Sequence, residues 1–162
     1  MSGDAGYAEG REAPLRLIAR DAEDLRVISA LLQDAVFPAG EMRWDRRRRR
    51  FAVLLNRFRW EDRAAAERRG RPFERVQALL VIDDVLGVAS DGLDPRDRDT
   101  VLSLLTLEFV PGDAVSGRIL LTLAGDGAVA VAVECVEVSL RDVTRPYAAP
   151  SGKAPAHPDS DG

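Results

Sequence analysis

The chain alternates short apolar runs with charged or glycine-marked turns, and the period of those runs changes once, near the start. Residues 15–19 read as a short strand. Asp21 then offers a side-chain oxygen to cap a helix, with Glu23 and Asp24 placing negative charge at the positive end of its dipole. Leu25, Ile28, Leu32 and Ala35 recur at helical spacing, Val27 and Leu31 widen the stripe, and Pro38 with Gly40 ends it. Beyond that point the pattern is strand-like. Residues 42–44 and 51–60 flank an arginine-rich turn, and 73–81 and 85–89 flank Asp83 and Asp84. Residues 118–123 and 128–138 meet at Gly125-Asp126-Gly127, where glycine supplies the positive φ that hairpin turns demand. Residues 61–72 are a charged excursion with a short helical turn ending at Gly70. Residues 101–110 alternate, with Val101, Ser103, Leu105, Leu107 and Phe109 on one side.

Sequential hairpins after one early helix predict an α+β domain. The expected core is an antiparallel meander of about seven or eight strands, with the N-terminal amphipathic helix following the first strand. Its form is either a two-layer sandwich or a partly closed, pleckstrin-homology-like barrel. The expected boundaries are a mobile leader at 1–13, a single domain at 14–145, and a disordered, Pro/Gly-rich tail at 146–162.

Composition narrows the chemistry. The only histidine, His157, falls in that tail, and the only cysteine, Cys135, falls in an apolar run. A domain without imidazole lacks the side chain that most often moves protons near neutrality or binds transition metals. One cysteine excludes an internal disulfide. The first ten residues have neither the basic start nor the apolar core of a signal peptide, and no apolar run approaches the ~20 residues of a membrane span. The expected location is therefore the cytoplasm, with no cofactor and no metal. The Asp91–Asp99 stretch is acidic, but its oxygens do not fall at calcium-loop spacing.

Charge is segregated. Residues 41–75 hold 13 arginines against 6 acids, in a chain whose net charge is −4. On a strand Arg48 and Arg50 share a face, and Arg57 and Arg59 form a second spaced pair suited to a phosphate or carboxylate. Trp44 and Trp60 lie close by in sequence, and arginine interleaved with aromatics also suits single-stranded nucleic acid. A solvated hairpin edge that resists aggregation is the plainer alternative. Asn56 alternates with Leu54 and Phe58, which predicts an inward polar side chain in need of a partner. Glu134, in an apolar strand, needs a partner too, and an arginine of the first hairpin is the candidate. Cys135 reads as a small buried hydrophobe.

Several blocks together carry a resemblance: LIARDAEDL at 17–25, LQDA at 32–35, NRF at 56–58 with WE at 60–61, FERV at 73–76, VLSLL at 101–105 and VECVE at 133–137. In this order, over roughly residues 14 to 143, they resemble an alphaproteobacterial family, the domain of unknown function 2948 family. That likeness implies a bacterial source and supplies no catalytic residues. The expected function is a non-enzymatic cytoplasmic binding or regulatory module. Its candidate contacts are Arg48, Arg50, Arg57 and Arg59, with Trp44, Trp60, Asn56 and Glu134 around them, and an acidic protein partner or other anion as ligand. Binding of RNA or single-stranded DNA through the same hairpin is the alternative. A small enzyme using carboxylates and arginines, with Glu134, Asn56 and an arginine in one pocket, is a third reading. A homodimer through a sheet edge is also compatible with the long apolar strands.

Overall fold

The structure, a computed structural model, describes residues 14–148. The leader through residue 13, the tail from 149 and His157 within it lie outside those residues. Strand β1 (Arg16–Ala19) leads into helix α1 (Ala22–Leu31). Asp21 caps that helix as its sequence suggests: the Asp24 amide donates to Asp21 Oδ1 at 2.7 Å. The helix stops at Leu31, before the proline. Asp34 takes a left-handed conformation (φ 66°) and turns the chain into β2 (Val36–Pro38), while Leu32 and Ala35 stay buried. β3 (Met42–Asp45) and β4 (Arg50–Phe58) form the arginine-tipped hairpin, with Arg49 at φ 55° closing the turn. Helix α2 (Arg63–Arg69) ends at the left-handed Gly70. The remaining strands are β5 (Glu74–Ile82), β6 (Val85–Asp91), β7 (Val101–Pro111), β8 (Gly117–Leu123), β9 (Ala128–Val133), β10 (Val138–Asp142) and β11 (Tyr147–Ala148).

Among the described residues eleven strands, rather than seven or eight, form one antiparallel sheet that does not close, and the order is not a meander. It runs β1-β10-β5-β4-β2-β7-β8-β9-β6, with β3 on β4 and β11 on β5. Three local expectations fail for one shared reason, the need to cross between the two halves of the sheet. Asp83 and Asp84 do turn the chain, but β5 pairs with β4 and β10 while β6 pairs with β9. The apolar run 128–138 breaks at residues 134–137, so β9 stays in one half and β10 joins the other. β7 carries a register shift between Leu104 and Thr106, which turns Leu102 and Leu104 inward before it and Leu107 after it. A bulge inverts the alternation read from the sequence. The last described strand lies past residue 145, where Tyr147 pairs with Arg75.

One core joins both halves. Phe37, Phe51, Val53, Leu55, Leu80 and Ile82 meet Leu104, Leu107, Ile119, Leu121, Val131 and Val133 in it. α1 adds Leu25 and Ile28 and packs on both β1 and β7, two strands that are not paired with each other. The helix therefore covers one gap in the open sheet. Among the described residues no helix is long and apolar enough to cross a membrane.

Gly117 opens β8 under the Phe109 ring, and a β-carbon there sits only 2.6 Å from that ring and against the Val110 carbonyl. Gly117→Ala is expected to cost about 1–3 kcal/mol, as overpacking does. Urea unfolding checks it, and an unchanged midpoint would show that the β7–β8 ladder yields freely.

Candidate functional site

β4 carries polar chemistry at both ends, and the two ends differ. At its C-terminal end lies an ion network. Arg57 points inward and is fully buried, because Phe51, Val53 and Leu55 set that face of β4 toward the core. Its Nε and Nη2 donate to Asp142 at 3.0 and 3.0 Å, while Nη1 and Nη2 donate to Glu61 at 2.9 and 2.7 Å. Nη1 also reaches the Phe58 carbonyl at 3.3 Å. All five guanidinium hydrogens are thereby used. Asp142 accepts the Leu15 amide as well, at 3.0 Å, tying the start of β1 to the same point.

Arg59 and Arg71 extend the network. Arg71 holds Asp62 with both terminal nitrogens, at 2.5 and 2.7 Å, and Arg59 bonds Glu74. The Asp62 carboxyl is held below its ordinary value by the Arg71 hydrogen bonds, against the opposing effect of burial. Burial alone would raise Glu61, but the Arg57 hydrogen bonds outweigh it and lower that carboxyl too. The same partners raise Arg57 despite its burial.

The N-terminal end of β4 is the hairpin tip. Of the six arginines in residues 43–50, three are answered by carboxylates. Arg48 faces Asp45 at 3.9 Å, Arg49 pairs with Glu134 at 2.8 Å, and Arg50 pairs with Asp83 at 2.9 Å. Arg43, Arg46 and Arg47 are exposed and form no ion pair among the described residues. Glu134 thus meets an arginine of the first hairpin, the partner its sequence context called for. A groove of about 570 Å³ runs from this tip, lined by Trp44, Arg46, Arg49, Leu86, Gly87 and Val88. It continues into a more apolar hollow of about 220 Å³ that includes Met42, Phe51, Leu93 and Val129.

The residues singled out from sequence are therefore divided. Arg57 and Arg59 are withdrawn from the surface into the ion network, and Arg48 stands in the turn rather than beside Arg50 on a strand face. Asn56 faces outward rather than inward and bonds the Tyr147 hydroxyl. Trp44 lines the groove, whereas Trp60 sits at the other end of β4. There its indole N–H donates to the Gln33 carbonyl at 2.9 Å, and its ring stacks edge-on to Phe58 at 4.7 Å. At about 3.3 Å per residue, the nine-residue β4 keeps the two tryptophans far apart. Glu134, at the tip, and Asn56, near the opposite end, do not share a pocket. Sequence reading missed Asp62, Arg71, Glu74 and Asp142, since charge spread over four elements leaves no local spacing signal.

Cys135 lies in the bend between β9 and β10, partly buried, and its thiol donates to Asp84 at 3.4 Å. Burial, together with that carboxylate, pushes the thiol above its ordinary value. It is a poor nucleophile at neutral pH. Asp84→Asn is expected to speed labelling by an aromatic disulfide reagent at pH 8 several-fold; equal rates would show that access alone limits the thiol.

By fold and site this is an open-sheet α+β domain with a partly buried ion network at one end and an arginine-tipped groove at the other. The chain belongs to the family described as Protein of unknown function (DUF2948), whose model matches residues 15–157. No curated protein and no solved structure matches it.

Proposed function

We propose that this protein is a non-enzymatic, cytoplasmic binding or regulatory module whose hairpin tip meets an acidic protein partner. One observation carries this reading: Arg46 lines the groove, Arg43 and Arg47 are exposed beside it at the hairpin tip, and none of the three is paired with a carboxylate among the described residues, in a chain whose net charge is −4. Exposed charge of one sign steers and orients an oppositely charged partner more than it adds affinity. Arg48 and Arg50 support the rim, with Asp45 and Asp83 holding them in place. Arg57 and Arg59 act through the fold that presents it. Nucleic acid is the less favoured ligand, because the separation of Trp44 from Trp60 removes the shared stacking platform that reading needs.

The test is fluorescence anisotropy at low salt with two labelled probes, a glutamate-rich peptide and a single-stranded oligonucleotide. The peptide is expected to bind, and Arg43→Glu with Arg46→Glu and Arg47→Glu is expected to weaken it at least tenfold. Unchanged peptide affinity in the triple variant would overturn the proposal. Tighter binding of the oligonucleotide, with quenching of tryptophan emission, would replace it with the nucleic-acid reading.

A further inference from the structure

The groove has an unusual pair of walls. Among the described residues β3 is paired only with β4, and β6 only with β9, so each presents one edge whose backbone N–H and C=O groups lack a strand partner there. The walls are stitched together at the tip, where the Val85 amide donates to the Arg49 carbonyl at 2.9 Å and Arg49 Nε donates to the Val85 carbonyl at 3.4 Å. Beyond this joint they part. α1 covers the gap between β1 and β7, whereas here, among the described residues, only the 93–98 loop closes the far end, where the Gly40 amide donates to the Arg98 carbonyl at 2.8 Å.

Side chains fill the floor of the gap and leave its upper space empty. Met42, Trp44, Val88 and Leu93 pack against the core while staying partly exposed. A β-carbon added at Gly87, on the β6 wall, meets nothing within 4 Å. Leu86 beside it is 56% exposed. Natural sheets usually blunt or cover free edges. Two free edges over an apolar floor form the arrangement that accepts an added strand.

Charge sets the occupant. On β3 Met42 and Trp44 line the hollow while Arg43 points outward, and Arg46 with Arg47 crowns the tip. The far end carries Asp94 and Asp97 beside Arg98, so it lacks the unanswered positive charge of the tip. An inserted strand would place alternate residues on the floor and the others beside Arg43, so apolar and acidic residues should alternate, with acid densest toward the tip.

We propose that the groove between β3 and β6 is a strand-addition site for an extended acidic peptide of a partner protein. It takes apolar side chains over Trp44 and Val88 and carboxylates against Arg43, Arg46 and Arg47. This deepens, and rests on, the reading of the tip as a docking point for an acidic partner.

The experiment uses the full chain carrying Trp60→Phe, so that Trp44 is the sole tryptophan. The probes are an octapeptide of alternating valine and glutamate, the same octapeptide N-methylated at alternate residues on either edge, and a valine–lysine octapeptide. The expected result is saturable change in Trp44 emission with the glutamate peptide and slowed amide exchange at 42–45 and 85–91. N-methylation on either edge should weaken binding at least tenfold, and the lysine peptide should not bind. Equal affinity of the methylated peptides overturns strand addition and leaves the charge contact standing. Equal binding of glutamate and lysine peptides, or binding of neither, overturns both. Slowed exchange at the two edges without peptide, rising with protein concentration alongside a dimer mass, shows that a second copy takes the groove and overturns the peptide assignment.

Discussion

Arg57→Ala is expected to cost about 3–5 kcal/mol, a large share of the stability of an ordinary domain, because it strands buried carboxylate charge. The Asp142 side chain is 6% exposed and receives two of its three hydrogen bonds from Arg57. With the guanidinium gone, its carboxylate keeps only the Leu15 amide as a partner in a nearly dry site. Glu61, at 33% exposed, has water to turn to. The loss should therefore track Asp142 more than Glu61. This gives a control that separates charge from packing: Arg57→Met with Asp142→Leu should recover most of the lost stability, since apolar side chains of similar volume often replace buried ion pairs at little cost. Urea midpoints of the wild type, the single variant and the double variant test it. A double variant no better than Arg57→Ala would show that the hydrogen bonds to Phe58 and Leu15, not the balance of charge, hold this end of the fold.

How much of this was legible in the chain depended on whether the deciding contacts were local. The Asp21 cap, the Gly70 stop and the turn at Gly125 and Asp126 (φ 82° and 70°) are local, and each reads correctly. Asp83 and Asp84 also turn the chain, but a turn specifies a change of direction and not the strand that will be met. β6 finds β9 because that pairing buries Val85 against Val133 across the second half of the sheet. Arg57 shows the same limit at the scale of one side chain. β4 is apolar on both faces, so its sequence leaves the register open by one residue. The choice falls to Phe51, Val53 and Leu55, and Arg57 goes inward with them because Asp142, far away in sequence, is there to meet it. The arginine excess at 41–75 was visible, but its division was not. Carboxylates from β10, the β5–β6 turn and the β9–β10 bend decide which cations are spent internally and which remain on the groove.

Acid should dismantle the network end of the molecule first, and Asp62 is the residue that reports it. Glu61 and Asp62 are both held below their ordinary values in the folded chain, whereas unfolded carboxyls titrate near 4.3 and 3.9. Groups with a depressed folded value stabilise the protein above the unfolded value, and that contribution disappears as pH falls through the folded one. Each unit of depression corresponds to about 1.4 kcal/mol. Stability should therefore stay level from pH 7 to about 5 and drop steeply below about 4. Asp62→Asn removes the titrating group while keeping its shape. It should be markedly less stable at pH 7, because Arg71 loses a paired carboxylate and Arg59 a nearby negative charge. It should also fall more gently in acid, so that the two stability curves converge as pH falls through the folded value of Asp62. The two effects must occur together, since both arise from one ionised carboxylate. A variant that is weaker at neutral pH but keeps the full acid slope would mean that Asp62 acts through hydrogen bonding alone, and that the acid sensitivity resides in other carboxylates.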